Sequence, residues 1–354
     1  MTIPLSFCCR FFASLTCCLF WGNILAQDPH FSQFYHTPWN LNPAMTGLHN
    51  GSWRASLIYR DQWGSILAQE PFRTFSASAD GRIPVGRYDH IGVGAGALHD
   101  EAGTARYTLN NVHASGAYLR RLSGKPRRAS HYLGAGIQVG VGQNNIDWSR
   151  LWFSRQFDAV TEAPDPGAAN GEPNANASGK PWLDFNAGVI WYALLKNEGF
   201  VMAGAALHHL NEPAVSLIED YAETLYRRHT VHASGHFPIN DELALLPGIL
   251  WMSQGPAQQI NLGANIRYGN ADYRELALRT GAWLRMANRL EEGIRPEAVV
   301  VTGMFEWDRW MLGLSYDITV SSLGQANSNR GAFEISLSYV HPGRRKGKVA
   351  CPSL

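Results

Sequence analysis

The sequence predicts an all-β fold, a transmembrane antiparallel up-and-down β-barrel of about 14 strands. Three observations support this prediction. The 354 residues include 35 glycines, 12 tryptophans and 13 tyrosines, but only 17% are charged and the net charge is +1. This composition suits an outer-membrane barrel better than a cytosolic domain. Beyond residue 26, no apolar run reaches the roughly 18 residues of a membrane-spanning helix, and from Gly51 onward apolar and polar residues alternate.

Residues 1–26 are predicted to be a secretory signal peptide, cleaved after Ala26. Arg10 precedes an apolar stretch that is too short to span a membrane as a helix, and small residues precede the cleavage site. An N-terminal membrane anchor is the alternative. Cleavage removes four of the five cysteines and leaves Cys351, so no intrachain disulfide is expected.

Residues 27–50 combine aromatic rings with prolines and carry no charge after Asp28. The prolines disfavour a helix and a central strand, so this segment is predicted to be extended and periplasmic. Its aromatic rings must be shielded from water by another surface. The segment either fills or lines the periplasmic mouth of the barrel, which we favour for Phe31, Phe34 and Trp39, or it lies along a partner.

The barrel is predicted over residues 51–340. In a typical strand, Leu183 and Phe185 lie on one face while Asp184 and Asn186 lie on the other. The predicted strands are 52–63, 72–81, 90–99, 106–120, 130–146, 182–193, 199–209, 227–237, 242–251, 258–268, 275–285, 298–306, 309–319 and 331–340.

The connections between these strands alternate in length. The long ones include 147–181, 210–226, 286–297 and 320–330, and the short ones include 238–241, 269–274 and 307–308. Bacterial barrels place short turns in the periplasm and long loops outside. Both termini, including a basic tail at 341–354, are therefore expected in the periplasm. Within 147–181, residues 163–179 are rich in Pro, Asn, Gly and Ala and are interpreted as a mobile loop.

Aromatic residues at the ends of the apolar faces are predicted to form the interface belts of a membrane barrel. They are Tyr59, Trp63, Trp191, Tyr192, Tyr268, Trp310, Tyr316 and Tyr339. A soluble β-sandwich or propeller is the alternative. The even strand count, the unequal loops and the lack of a blade-length repeat argue against it.

No pattern in the sequence predicts catalysis, a cofactor or a metal site. His232 and His236 share a lumenal strand face while His229 points outward, and two ligands about 13 Å apart do not make a compact site. The glycines at 92–96 and 134–136 lead into no helix, so they indicate a bend or a filled lumen and not a nucleotide-binding loop. A hydrolase triad on the barrel wall is a remote alternative. The near-zero net charge gives no case for nucleic acid.

Two basic clusters are predicted on the periplasmic side, either as solvated charge near anionic groups or as a docking surface for a periplasmic partner. They comprise Arg120, Arg121, Arg127 and Arg128 in a turn and Arg344, Arg345 and Lys346 in the tail.

The most specific motif is DPHFSQ followed by LNPAMTG within residues 28–47. It resembles the opening of the PorP/SprF family of outer-membrane proteins of the type IX secretion system, and a YRDQW stretch resembles the next family block. Later stretches at 76–80, 209–213, 281–285, 331–335 and 351–352 extend the likeness. The matching residues proposed for partner docking are Asp28, Pro29, Phe31, Ser32, Gln33, Asn42, Pro43, Ala44, Gly47, Arg60, Gln62 and Trp63.

The resemblance implies a non-enzymatic barrel of type IX secretion or gliding motility. Such a protein docks or anchors secreted substrates through their C-terminal sorting domains and contacts the translocon and the periplasmic ring and lipoprotein components. Outer-membrane lipid is a further expected partner, and no cofactor is expected. The long 147–181 loop departs from the family pattern. A passive porin or small-molecule transporter is the alternative function.

Overall fold

Fourteen antiparallel strands close into a barrel in the computed structural model, over the residues it describes. These are 28–67, 70, 72–86, 88–123, 130–158, 160–165, 167–171, 178–195, 199–217, 223–269, 276–289 and 293–342. The predicted fold class is confirmed. The predicted signal peptide lies outside the described residues, as does the tail beyond residue 342.

Sixteen strands occur in this part of the chain, and two of them form a small separate hairpin. In chain order they are β1 (Gly51–Gln62), β2 (Phe72–Val85), β3 (Asp89–Ala102), β4 (Tyr107–Ser123), β5 (Ser130–Asn145), β6 (Phe157–Asp158), β7 (Ala163–Pro164), β8 (Trp182–Leu194), β9 (Phe200–His208), β10 (Arg228–Pro238), β11 (Leu243–Gln254), β12 (Ala257–Gly269), β13 (Leu276–Arg289), β14 (Gly293–Trp307), β15 (Trp310–Thr319) and β16 (Arg330–Pro342).

Helical structure is limited to short turns. They are Phe34–His36, Pro38–Leu41, Pro43–Met45, Gly64–Leu67, Trp148–Arg150, Ser154–Gln156 and Leu323–Asn327. None of the helices found among the described residues is long and apolar enough to cross a membrane.

Barrel neighbours are consecutive in sequence except that β5 pairs with β8, because β6 and β7 form the hairpin inside the intervening connection. The first and last strands close the ring. β1 pairs with β16 in antiparallel register, with Leu57 opposite Leu337 and Arg60 opposite Glu334. We call this pairing the seam.

The two ends of the barrel differ. At the turn end, where β1 begins and β16 finishes, strands are joined by short connections such as 86–88, 239–242 and 308–309. At the opposite loop end, the connections 63–71, 146–181, 209–227 and 320–329 are longer.

The predicted long loop at 286–297 is wrong. β13 continues to Arg289 and β14 already begins at Gly293. The pairing shifts between Arg285 and Met286, where Met286 faces Pro296. A bulge of this kind tolerates a proline that a regular ladder would exclude.

The outward face is apolar, as in a barrel that meets lipid. Leu57, Ile137, Leu183 and Ile266 are exposed on it, and the belt residues Trp191, Tyr268, Trp310 and Tyr316 are exposed as well. Tyr192 differs from its prediction. It faces the lumen and stacks on Tyr132 with ring centroids 4.6 Å apart, because the inward face of β8 changes from polar near the loop end to apolar near the turn end.

Residues 28–50, which we call the lumen segment, fold inside the barrel. Three short helical turns interrupt its extended parts, at Phe34–His36, Pro38–Leu41 and Pro43–Met45. The prolines were expected to prevent helix, but Pro38 and Pro43 stand at the start of their turns. A missing N–H is tolerated at that position. The segment ends at Gly51, where β1 begins at the turn end.

Candidate functional site

The lumen segment is the best-defined candidate site, because its side chains are enclosed by the wall. Phe31, Gln33, Asn42, Ala44 and Leu48 are all buried, and all but Phe31 have no exposed surface at all. Burying both apolar and amide side chains requires matching partners on the wall. Those partners are described below from the apolar contacts to the charged ones.

An apolar cluster joins the segment to one side of the wall near the turn end. Phe34, Leu41, Met45 and Leu48 of the segment pack with wall residues. The wall contributes Leu119, Tyr132, Ile190, Tyr192, Phe200, Met202, Leu250 and Trp283 among others. Phe34 meets the Trp283 ring edge-on at 5.3 Å. The lumen here is therefore a packed core and not a polar channel.

Wall glycines make room for the segment. A Cβ atom at Gly92 would lie 1.9 Å from the Thr46 carbonyl oxygen, and one at Gly136 would lie 2.5 Å from the Ala44 nitrogen. A Cβ at Gly188 would meet the Asn42 side chain at 2.1 Å. The glycines in these strands thus allow close approach of backbones, which agrees with the filled lumen inferred from the sequence.

Four buried charges form a cluster against the seam, and we call Arg60, Arg285, Asp317 and Glu334 the seam cluster. Arg60 of β1 donates to Glu334 of β16 and, at 3.1 Å, to Asp317 of β15. Arg285 of β13 donates to the same Asp317 oxygen at 2.8 Å. Two guanidinium groups thus balance two carboxylates. A buried ion pair is tolerated only when it is compensated in this way.

The lumen segment completes the hydrogen bonding of the seam cluster. The backbone N–H groups of Ser32 and Gln33 donate to the two carboxylate oxygens of Glu334 at 2.7 and 2.9 Å. The Ser32 hydroxyl donates to Asp317 at 2.7 Å, and the Gln33 amide oxygen accepts from Ser336 at 2.9 Å. Charge-assisted hydrogen bonds of this kind are stronger than neutral ones. Through these contacts, Ser32 and Gln33 fix the segment to β15 and β16.

A second charged group, the loop-end cluster of Asp28, Asp184, His209 and Arg228, holds the start of the segment. His209 donates through Nε2 to Asp28 at 2.6 Å and through Nδ1 to Asp184 at 2.8 Å. Arg228 pairs with Asp28 at 2.8 Å, and the Asp28 N–H donates to Gln254 at 2.9 Å. Each of these wall partners lies at the loop end of its strand or just beyond it.

Both ends of the Asp28–His209 pair are ionised in the neutral pH range. Burial disfavours the charged ring of His209, but the two carboxylates beside it outweigh burial and raise its pKa to about 9. Burial also opposes ionisation of Asp28, yet His209 and Arg228 lower the pKa of its carboxyl below the usual range. The pair is therefore a salt bridge and not a neutral hydrogen bond.

The second half of the segment is held by amide and backbone groups. The Asn42 amide donates to the Val189 carbonyl at 3.0 Å, and its oxygen accepts from the Ala44 N–H at 2.9 Å. The Gly47 N–H donates to Asp80 at 2.7 Å. Arg54 of β1 holds that carboxylate with two hydrogen bonds of 2.9 Å.

A cavity of about 300 Å³ lies at the turn end between the segment and β1, β13, β14, β15 and β16. Its lining includes His36, His49, Arg54, Arg279 and Glu306. The cavity is a vestibule that ends on the lumen segment.

Among the described residues, no group of three or more His, Cys, Asp or Glu side chains is placed to hold a metal ion. His232 faces the lumen beside the Asn42 amide at 3.2 Å, and His229 is exposed on the outer face.

The structure places the residues of the sequence motif in two regions, the lumen and the loop end. Phe31, Ser32, Gln33, Asn42, Pro43, Ala44, Gly47 and Arg60 are buried in the lumen, Asp28 and Pro29 lie near the loop end, and Gln62 and Trp63 are half-buried at the loop end. Their contacts in the described chain are with the barrel itself. Their role in docking a partner stays a prediction.

The basic clusters are described only in part. Arg121 lies at the turn end, where its backbone N–H donates to Asp89 and its guanidinium group covers the Tyr88 ring at 4.3 Å. Arg120 is exposed beside it. The remaining members, Arg127, Arg128, Arg344, Arg345 and Lys346, lie outside the described residues.

No sequence motif pointed to the wall residues that hold the segment. Glu334, Asp317, Arg285 and Asp184 sit on the polar faces of predicted strands, where they look like ordinary lumenal residues. The signal that could have found them is charge: two carboxylates and two arginines on inward faces need partners inside a barrel. Ser32 and Glu334 are 302 positions apart in the sequence, and a contact over that distance leaves no local sequence pattern.

A family model described as "Type IX secretion system membrane protein PorP/SprF" matches residues 23–339 of the chain. A comparison with curated proteins gave no match.

Solved structures with a similar fold share little sequence with the chain. A "TodX deltaS2S3 mutant monoaromatic hydrocarbon channel" is 11% identical with a TM-score of 0.49, over 88% of this chain and 95% of that one. The P. putida toluene transporter TodX is 10% identical with a TM-score of 0.46, over 86% and 93%. CdiB from Escherichia coli is 8% identical with a TM-score of 0.46, over 81% of this chain, which spans 63% of CdiB.

Proposed function

We propose that this chain, which belongs to the PorP/SprF family of type IX secretion system membrane proteins, docks or anchors secreted proteins at the outer membrane and does not conduct solutes. In this proposal the barrel recognises the C-terminal sorting domains of its substrates, gliding-motility adhesins among them. It also contacts the translocon and the periplasmic ring and lipoprotein components.

The observation that carries the proposal is the occupied lumen. A passive porin needs a water-filled path between its two mouths. Here Ser32 and Gln33 are bonded to the seam cluster, and Phe34, Met45 and Leu48 pack into the apolar cluster. Opening such a path would leave the buried carboxylate of Glu334 without two of its donors, which is costly. The filled lumen therefore favours a docking role over the porin alternative.

The docking surface for a secreted protein is proposed at the loop end. In the long connection 146–181, Trp152, Phe157 and Val160 are 57%, 56% and 91% exposed. These side chains lie in or beside the β6–β7 hairpin, outside the barrel wall. Exposed apolar side chains that cluster on a loop are typical of protein interaction sites. A β-rich sorting domain is the occupant that the family membership favours.

Periplasmic contacts are proposed at the turn end, through the basic residues Arg120 and Arg121. Both lie where β4 meets its short connection. Positive charge at this mouth would favour an acidic partner surface and would act mainly on the rate of encounter.

The test is capture of the secreted partner by purified, detergent-solubilised barrel. We expect wild-type protein to retain a secreted protein with a β-rich C-terminal domain. The variant Trp152→Ser, Phe157→Ser, Val160→Ser should lose it. The matched control is Ile239→Ser, which removes an exposed apolar residue from a turn-end connection and should retain the partner.

The outcomes separate the parts of the proposal. If wild-type barrel retains no secreted protein, docking is refuted. If only the Ile239→Ser variant loses the partner, docking occurs at the turn end and the loop-end surface is refuted.

A further inference from the structure

The start of the lumen segment lies at the opposite end of the barrel from the strand to which the segment leads. The segment joins β1 at Gly51, and Gly51 is opposite Pro342 at the turn end. Asp28, by contrast, contacts His209, Arg228 and Gln254. His209 follows the last residue of β9, Arg228 is the first residue of β10 and Gln254 is the last of β11. All three positions are at the loop end.

The path between these ends stays inside the barrel. From Asp28 the chain reaches the seam cluster at Ser32 and then descends to His36, which lies 3.3 Å from Ser338. It rises again to Asn40, whose carbonyl accepts from Arg228 at 2.9 Å near the loop end. Its last part descends past Asn42 to Gly47 and leaves at the turn end. The segment thus connects the two mouths.

The anchoring at Asp28 is built to hold this end in place. The carboxylate is buried and receives His209 and Arg228 together, and its own backbone N–H is also paired. If Asp28 lay at the turn end, its carboxylate could reach neither His209 nor Arg228. The position of Asp28 is therefore set by three wall residues from three connected strands and not by one surface contact.

We propose that the lumen segment enters the barrel through the loop-end mouth, so that the N-terminus left by cleavage of the predicted signal peptide lies on the same side of the membrane as the long loops. With long loops on the cell surface, as in bacterial barrels, the N-terminus is surface-displayed. This differs from the periplasmic N-terminus expected from the even strand count alone. An even count fixes where β1 begins, but it does not fix where a lumen-threading segment starts.

The inference goes beyond docking and does not depend on it. It adds a free chain end to the loop-end surface, beside the polar mouth lined by His30, Gln254, Gln258 and Asn288. A surface-displayed terminus at this mouth is within reach of an extracellular partner and of impermeant reagents, whereas a periplasmic one is not.

The test places a short biotin-acceptor tag at one of three positions and labels intact cells with an impermeant reagent. The positions are directly before Gln27, after Gly171 in the long loop, and after Asn240 in a turn-end connection. Heat-modifiable migration on gels confirms that each tagged barrel folds. We expect the Gln27 and Gly171 tags to be labelled alike, and the Asn240 tag only after permeabilisation.

If the Gln27 tag reacted under the same conditions as the Asn240 tag, and not under those that label the Gly171 tag, the proposal would be overturned. If the Asn240 tag alone were labelled on intact cells, the loops would face the periplasm. The N-terminus would still share their side, but its surface display would be refuted. Should the tag prevent folding, a single cysteine inserted between Gln27 and Asp28 in a Cys351→Ser background, labelled with an impermeant maleimide, gives the same readout. Loss of substrate capture would not change any of these results, so failure of docking and failure of this inference are distinguishable.

Discussion

At the scale of single residues, the buried charges decide how firmly the lumen segment is held. Arg60 and Glu334 are opposite each other across the seam, and both are almost completely buried. Neither would be stable in a low-dielectric interior without the other. Because Ser32 and Gln33 donate to the same Glu334, closure of the barrel and seating of the segment depend on one carboxylate.

Replacing Arg60 with Met should destabilise the barrel by about 3–5 kcal/mol, because it leaves a buried carboxylate without its main partner. The free energy of unfolding in urea measures this loss. The control is Arg73→Met, which removes a half-exposed arginine lying 3.6 Å from Asp61 near the same end. Its effect should be close to zero, as for most surface pairs. Equal losses for the two variants would contradict the assigned role of the seam cluster.

The ion pair between His209 and Asp28 should weaken at high pH. The folded pKa of His209, about 9, exceeds its ordinary value near 6.5. Its stabilising contribution is therefore complete below about pH 6.5 and is lost as the pH rises through about 9. Asp28 behaves in the opposite sense, since its lowered pKa gives stability that is lost only in strong acid. Hydrogen exchange at the Ser32 and Gln33 amides should accelerate between pH 7 and 10 beyond the intrinsic rate.

The control for this prediction is His209→Asn, in which the extra acceleration should disappear. The raised pKa of His209, about 9, lies within this range. An unchanged pH profile in the variant would assign the effect to another group.

At the scale of elements, the fit between strands and segment depends on backbone proximity. Gly136→Val should push the Pro43–Met45 turn away from β5, because even a Cβ atom there would lie 2.5 Å from Pro43 and Ala44 backbone atoms. Overpacking of this kind typically costs about 1–3 kcal/mol. The midpoint of thermal unfolding should fall accordingly. Ala135→Val, on the outward face of the same strand, should leave the midpoint unchanged. A similar drop in both variants would indicate a general effect on β5.

Removing residues 28–38 should both destabilise the barrel and open it. The deletion leaves Glu334 and Asp317 without the donors from Ser32 and Gln33 and removes Phe31 and Phe34 from the interior. We expect earlier heat-induced unfolding on gels. In planar bilayers we expect ion conductance from the deletion variant and none from wild-type protein. Conductance by the wild-type barrel would contradict a sealed lumen and would favour the porin alternative.

At the scale of the whole molecule, periodicity predicted the wall and could not predict what fills it. Alternation located the strands to within a few residues, because lipid on one face and the lumen on the other impose a period of two. The predicted loop at 286–297 was wrong because the ladder continues through it past a bulge that accommodates Pro296. The aromatic, proline-rich start of the chain predicted that some surface must cover it. Which surface covers it depends on contacts such as Asn42 with Val189 and Ser32 with Glu334. These join distant parts of the chain and leave no local pattern.

The same long-range pairing has a consequence for the time course of assembly. Ser32 leaves the ribosome early, but its partner Glu334 follows 302 residues later. At the usual 5–20 residues per second, the two are separated by roughly 15–60 s if export keeps pace with synthesis. During that interval Phe31, Phe34 and Trp39 have no completed interior to enter, and exposed aromatic surface of this kind promotes aggregation. The aromatic start of the segment is therefore the part of the chain that stays exposed longest before its interior is complete.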